Sequence, residues 1–576
     1  MKIKLFFKNH VPALIVALII GFLYLVPQLF FQWSLDDEFQ GIYRTSNDDE
    51  TYYMARAREI IDGHYLISNP YFTEYKNGFP MQVFLPDLLL ALPAKLFNFD
   101  IYPLYRFYDF VLPAVMFFLT YWIFYLLIKE RFWSIYLSSW IFLIQYYFSF
   151  NRPVSPQFIF IFALTFIWIL LKIVSNTKIR SKWLTILAAV NFGFLFYIYP
   201  YFWTYFSVLL FLLIIYYWWQ KNFSLLKHFL VIFISGYFIA LPYFYQTWQA
   251  SQLPFFAETL SRLGMINTYF PSGVAISFIG LLVLILMVYN IFNRQCEREI
   301  GISIFLIMAI AASVISFNQH LITGKNSFFS SHYDIISYFI ILFSISYWWW
   351  YKKTVFWAHF PAVKITAIIF LLAIFLPIFY KNLNFDYNQA VKMQSWKQTF
   401  NWLNENTNKD DVIMANNDLS SYIPSYTHDN ILFNSVAKLY FVGDSELLDR
   451  FVINNYWHSD FDWEFVKRKL SAVYGLQNKA LAGRIKQQNK IRKLFNLPQT
   501  DLTDIYFPPQ QVQSVLNYAN LIQENDWIDS LKKYHVKYII VENDEGSKFI
   551  SNVSKFKFIE LVYQDGSIFV YRVNNN

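Results

Sequence analysis

Cysteine is almost missing. Cys296 is the only one in 576 residues, which excludes an intramolecular disulfide and any cysteine-based metal or redox site within one chain. Charge is scarce too: Asp, Glu, Lys and Arg make up 15% of the chain, against about 25% in soluble proteins. Apolar residues fill the space, at 56% hydrophobic with 64 Phe, 43 Tyr and 19 Trp. So much apolar surface has no aqueous solution unless lipid replaces water. The formal charge of +8 raises nucleic acid as a partner, and the placement of the lysines and arginines decides against it.

A hydrocarbon core of about 30 Å takes roughly 20 apolar residues to cross. Eleven runs qualify: about 11–31, 105–128, 132–150, 157–174, 183–199, 203–219, 229–247, 274–292, 300–317, 335–351 and 362–380. The first is too long and unbroken for a signal peptide, and no small-residue cleavage site follows it, so a retained helix is expected. Lys2, Lys4 and Lys8 precede it. Lys129 with Arg131, Lys178 with Arg180 and Lys182, Lys221 with Lys227, Arg294 with Arg298, and Lys352 with Lys353 fall in every second loop. The positive-inside rule makes those loops and the N-terminus cytoplasmic. It accounts for the net charge without nucleic acid, and eleven crossings put the C-terminus outside.

The expected fold is therefore a polytopic α-helical membrane protein, in the plasma (inner) membrane, with about 11 transmembrane helices over 1–380. An extracytoplasmic α/β domain over 381–576 follows. The tail's elements are a helix over Trp396–Leu403, strand-like runs at Asp411–Ala415, Asn430–Asn434 and Val536–Val541, and a hairpin around Asp565-Gly566 within Phe556–Val573. Cys296 falls in a cytoplasmic loop, where it reads as inert.

The other long external segment, about 32–104, carries the densest polar constellation. It reads Asn47-Asp-Asp-Glu-Thr-Tyr-Tyr-Met-Ala-Arg-Ala-Arg-Glu-Ile-Ile-Asp-Gly63. Tyr53, Ala57, Ile60 and Ile61 recur at helical spacing, which predicts a short amphipathic helix on the membrane interface with Gly63 at its C-terminal stop. An Asp at its start caps the helix and Glu50 suits its dipole. A cap needs one Asp, yet Asp36, Asp37, Asp48 and Asp49 all lie in this loop. Carboxylates held at a membrane face take a proton from a hydroxyl or coordinate a cation.

The run Asp49-Glu50-x-x-Tyr53-x-x-x-Ala57-Arg58-Glu59 resembles the first external loop of GT-C glycosyltransferases of the aminoarabinose-transferase and protein O-mannosyltransferase type. The resemblance implies a polytopic enzyme that moves a sugar, with inversion, from a polyprenyl-phosphate donor to an acceptor (glycan, lipid or protein) at the outer face. It implies Asp49 as general base with Asp48 beside it, and Glu50 and Arg58 near the substrate. Lys76, in Tyr75-Lys-Asn-Gly-Phe-Pro80, stands where several members carry a phosphate-binding lysine, but without their following double proline. A snorkelling interfacial lysine is the structural alternative.

Other external loops supply further cations. Arg152, in Asn151-Arg-Pro-Val-Ser-Pro-Gln157, suits a phosphate, while Ser155 and Pro156 read as a helix cap and first turn. His320 and Lys325 in 318–326, with His332 in Ser331-His-Tyr-Asp334, suit phosphate or acceptor contact; two histidines twelve apart lack the pitch of a helical zinc pair. Glu258 and Arg262 read as an i, i+4 ion pair, and Tyr199-Pro-Tyr-Phe-Trp203 as part of an aromatic belt. The tail lacks the Trp-Trp-Asp-Tyr-Gly run of the metal-using oligosaccharyltransferases, so a monophosphate carrier and no obligatory cofactor are expected. Paired Asp48 and Asp49 keep Mg2+ or Mn2+ in play, with Asp49 as the ligand. The rival readings are a transporter or flippase, which the near absence of charge within the spans disfavours, and a non-catalytic envelope assembly protein.

Overall fold

The computed structural model describes residues 2–45, 48–147, 149–175, 182–266, 268–269, 271, 273–291, 297–326, 330–351, 360–416, 418–458, 460–543 and 547–574. Asn47, Lys178, Arg180, Arg294, Cys296, Lys352 and Lys353 lie outside them, as do the side chains of Lys2, Lys4, Lys8, Asp48 and Arg298.

Helices dominate the first two thirds: α1 (Lys2–Leu35), α2 (Asp48–Asp62), α3 (Leu85–Phe97), α4 (Ile101–Ile128), α5 (Arg131–Trp140), α6 (Ile159–Ser175), α7 (Lys182–Ile198) and α8 (Pro200–Trp219). They continue with α9 (Phe223–Ile239), α10 (Leu241–Ala250), α11 (Phe256–Arg262), α12 (Val274–Ile291), α13 (Glu297–Asn318), α14 (His320–Thr323), α15 (Tyr333–Tyr351) and α16 (Pro361–Leu383). Local signals set their ends. The Asp100 carboxylate accepts the Tyr102 N–H at the start of α4, and a left-handed Lys129 closes it. The Glu130 carboxylate then caps α5 through Trp133 N–H at 2.7 Å. Prolines open α8 and α16 in their first turns.

Each apolar run is helical over most of its length, but eleven spans are more than the helices support individually. Among the described residues six are long and apolar enough to cross a bilayer: His10–Glu38, Ile101–Ile128, Pro153–Ser175, Pro200–Trp219, Glu299–Thr323 and Pro361–Leu383. The pair α9 and α10, bent by 45°, makes a seventh if counted as one span. Shortness keeps α7 and the apolar stretch Val274–Tyr289 from qualifying. The chain is a helical protein whose apolar helices suit a membrane. A large aromatic and aliphatic core holds the bundle together. Glycines set its closest approach: a methyl on Gly236 of α9 would overlap Phe192, and one on Gly193 of α7 would overlap Ile239.

The tail carries one five-stranded sheet, with β1 (Val412–Met414), β2 (Asn430–Ile431), β3 (Val536–Glu542), β4 (Ile559–Asp565) and β5 (Ile568–Val573) in the order β2-β1-β3-β5-β4. β1 lies parallel to both β2 and β3, while β3–β5 and β5–β4 are antiparallel. The β4–β5 turn sits at Gly566, whose φ of 54° suits glycine.

The first long loop belongs to the same core as the tail. Tyr52, Ala57, Ile60, Tyr71 and Leu90 pack in one cluster with Phe400, Leu403, Ile423 and Tyr440. Ile431 N–H donates to Tyr71 C=O at 3.1 Å, and the Gln394 amide oxygen accepts Gln40 and Ile42 N–H at 2.9 and 3.1 Å. This corrects the reading of α2 as an interfacial helix. Met54, Ala55, Arg56, Ala57, Glu59 and Ile60 are all buried, and the apolar stripe faces α3 and the tail helix Leu419–Tyr426 rather than lipid.

Candidate active site at the start of the buried loop helix

Helix α2 distributes its polar side chains by turn. Asp49 and Tyr53, one turn apart, share a face. The Asp49 carboxylate pairs with the Arg152 guanidinium, from the stretch between α5 and α6. That guanidinium also lies over the Tyr53 ring, 5.7 Å from its centre, a cation–π contact. The Ser155 hydroxyl meets the hydroxyls of Tyr53 and Tyr199. Ser155 has extended backbone (φ −140°, ψ 120°) inside a wide helical turn, and its hydroxyl serves these tyrosines. Tyr199, at the junction of α7 and α8, contacts the His332 imidazole through its hydroxyl, and the Tyr201 ring lies 4.8 Å from that imidazole. Burial, then the Arg152 charge, pushes His332 down to about 4, so it is neutral near pH 7.

Four segments far apart in sequence thus meet at one place: the start of α2, the stretch before α6, the α7–α8 junction and the turn before α15. Asp49 and Arg152 come together here, and His332 joins them through Tyr199. Tyr199 and Tyr201 were legible only as belt aromatics, whereas Tyr53 stood both in the apolar stripe of α2 and in the run that carries the resemblance.

The remaining α2 acids and bases go elsewhere. Glu50 turns the other way, to Arg106 at 2.9 Å, and Arg106 also holds Asp109 at 2.9 Å. Glu50, Arg106 and Asp109 line a small cavity of about 30 Å³ with Arg44, Gln28 and Tyr24. Arg106 and Asp109 were missed in the sequence although both fall inside an apolar run, where charge signals function or a partner. Arg56 makes a fully buried bidentate pair with Asp87, at 3.1 and 2.7 Å. Arg58 holds Asp62 one turn on, at 3.1 Å.

Lys76 does not join Asp49. Its ammonium is buried against Glu59 and lies 3.5 Å from Asp410 of the tail. Burial raises the Glu59 carboxyl even with Lys76 beside it. Burial works the same way on Asp410, but Lys76, His64 and Lys409 outweigh it and hold that carboxyl below the usual range. His320 is buried in α14, while Lys325, with its side chain exposed, forms an antiparallel backbone bridge with Ile266.

The ion pair expected between Glu258 and Arg262 is replaced by contacts to the tail. Arg262, 1% exposed, pairs with Asp444 and donates to the carbonyls of Lys438, Tyr440 and Val442 at 3.0 Å each. Glu258 accepts the Asp444 N–H at 3.0 Å.

Exposure separates these pairs. The Asp49 side chain is 65% exposed and that of Arg152 17%, whereas Lys76 and Glu59 are 5% and 7% exposed, and Arg56 and Asp87 1% and 2%. An open pair contributes about 0–1 kcal/mol and exchanges partners readily; a buried one is locked by the cost of leaving either charge alone. Asp49 is therefore the carboxylate of these pairs most open to an incoming group. Among the described residues no three His, Cys, Asp or Glu side chains cluster as metal ligands. No protein-family model matches the chain, and neither does any curated protein.

Proposed function

We propose that the chain is an inverting membrane glycosyltransferase of the GT-C type, taking a sugar from a polyprenyl-phosphate donor to an acceptor at the external face. One observation carries the reading: an exposed carboxylate, Asp49, sits against an exchangeable arginine, Arg152, where four loops expected on the same side of the membrane converge. In this reading Arg152 leaves Asp49 for the donor phosphate. The Asp49 carboxylate then accepts the proton of an acceptor hydroxyl as that oxygen attacks the anomeric carbon. The bond from that carbon to the phosphate oxygen breaks, and its electron pair leaves with the polyprenyl phosphate, whose charge Arg152 balances. Neutral His332 and Tyr199 line the same place as uncharged hydrogen-bonding groups. In this reading the basic loops are cytoplasmic by the positive-inside rule and the loops between them are external, which supports an external address for the site.

The test is Asp49→Asn in vesicles supplied with a labelled polyprenyl-phosphate sugar. Transfer should fall by about 10²–10⁴-fold, the usual worth of a general base, with insertion and melting unchanged. Transfer at the wild-type rate removes Asp49 from the mechanism. The same assay with a chelator assigns the cation: retained transfer fits the metal-free form, and loss restored by Mg2+ or Mn2+ fits a metal held by Asp49.

A further inference from the structure

The parallel strands of the tail run β2-β1-β3. From β1 the chain goes to β2 on one side, and later reaches β3 on the other. The connections leaving β1 and β3 at their carboxyl ends therefore part in opposite directions. Open α/β sheets take ligands in the crevice that such a reversal leaves. A cavity of about 210 Å³ opens there, with Met414 and Ala415 at the end of β1 and residues 539–542 of β3 among its lining, together with Asn454 and Trp457.

Among the described residues, two buried polar atoms of that lining have no hydrogen-bond partner: the acceptor Asn454 Oδ1 and the donor Trp457 Nε1. Asn454 is 9% exposed, and its amide nitrogen is committed to Ala415 C=O at 3.0 Å, so the oxygen cannot simply exchange roles with it. Buried donors and acceptors are costly unless something completes them. Glu542 at the cavity is already answered: it accepts from Asn416 at 2.7 Å and Trp396 at 2.8 Å and lies 3.5 Å from Lys392. Asp418, Lys469 and His458 also line the space, so groups of both signs are present. The space is below the roughly 300–1,000 Å³ of drug-sized sites, which limits the occupant to about one ring.

A polyol ring meets both unpartnered atoms, since each hydroxyl donates and accepts, and it presents an apolar face to an indole. We propose that this cleft binds one neutral pyranose unit, free or at the end of a glycan. Sugar binding in the tail stands independently of catalysis by Asp49.

The probes are glucose, galactose, mannose and N-acetylglucosamine, each free and as its methyl glycoside, added to the full chain in nanodiscs. Saturation-transfer NMR should show binding by at least one sugar. Binding of the free form alone marks a site for free sugar, and retention of the glycoside marks the end of a glycan. Trp457→Phe deletes the indole N–H and keeps an aromatic ring against Trp527, Phe549 and Phe556; it should weaken binding at least fivefold with the melting temperature unchanged. Hydrogen exchange on the unaltered protein gives a second readout, in which the sugar, but not equimolar glycerol, protects 412–416 and 454–458. Absence of binding and protection for every sugar overturns the proposal, as does equal affinity in a folded Trp457→Phe protein or preference for glucose 6-phosphate over glucose.

Discussion

At the residue scale, burial separates groups that hold the fold from groups open to chemistry. Asp429 shows how far burial alone can move a carboxyl. It is 3% exposed, accepts the Thr407 hydroxyl at 2.7 Å, and has a buried second oxygen with no partner. Burial, opposed by the Thr407 and Thr427 hydrogen bonds, pushes it up to about 7, against about 3.9 in an unfolded chain. A carboxyl raised on folding gives its full stability below the unfolded value and loses it as pH rises through the folded one. Melting measured from pH 4 to pH 8 should therefore fall across the interval from about 4 to about 7. Asp429→Asn should flatten that slope, matching the wild type near pH 4 and exceeding it near pH 8. An unchanged slope would deny Asp429 its part.

At the scale of the element, α2 is the helix on which the site depends, and its outline was legible from sequence. Gly63 ends it with a φ of 103°, as the sequence suggests, and the hairpin at Asp565-Gly566 lies where its turn residues put it. Local signals act within a few residues, so they can be read. Which side of α2 meets which neighbour could not be, because the partners Arg152, Arg106, Lys76 and Tyr440 lie from 17 to hundreds of residues away in sequence. Periodicity finds an apolar stripe but does not tell lipid from a second soluble layer. Lys76 illustrates the loss. Read as a phosphate ligand or a snorkelling side chain, it is the buried counter-charge that fixes the C-terminal half of α2 through Glu59. Lys76→Met should destabilise the protein by about 3–5 kcal/mol, because it strands a buried carboxylate. Adding Glu59→Leu should recover much of that in thermal or denaturant melts. A single variant as stable as wild type would show the pair to be dispensable.

For the whole molecule, the joint between bundle and tail matters most. Arg262 closes α11 onto the 438–444 segment with one ion pair and three carbonyl contacts, and Arg44 reaches the carbonyls of Asn382 and Asn384 at the C-terminal end of α16. Such a joint holds the tail over the loop that carries Asp49. Arg262→Ala should speed limited proteolysis near 438–444, with a stability loss of about 1–3 kcal/mol for each buried carbonyl left without its donor. Proteolysis at the wild-type rate would show that the joint rests on other contacts. Composition and apolar runs made the helical, membrane-suited body legible. The number of crossings was less so, because hydrophobicity alone does not separate a long span from a short helix packed inside a bundle.

The core shared by the first loop and the tail also sets an order of events during synthesis. Gln40 and Ile42 meet Gln394 only after some 350 further residues have been made. At about 5–20 residues per second that is a wait of roughly 20–70 s. Through that interval the loop helix has its apolar stripe uncovered while the intervening segments are still being inserted. A ribosome halted before Phe400 would leave a nascent chain dependent on chaperones, and clearance of such fragments by proteases should be quick.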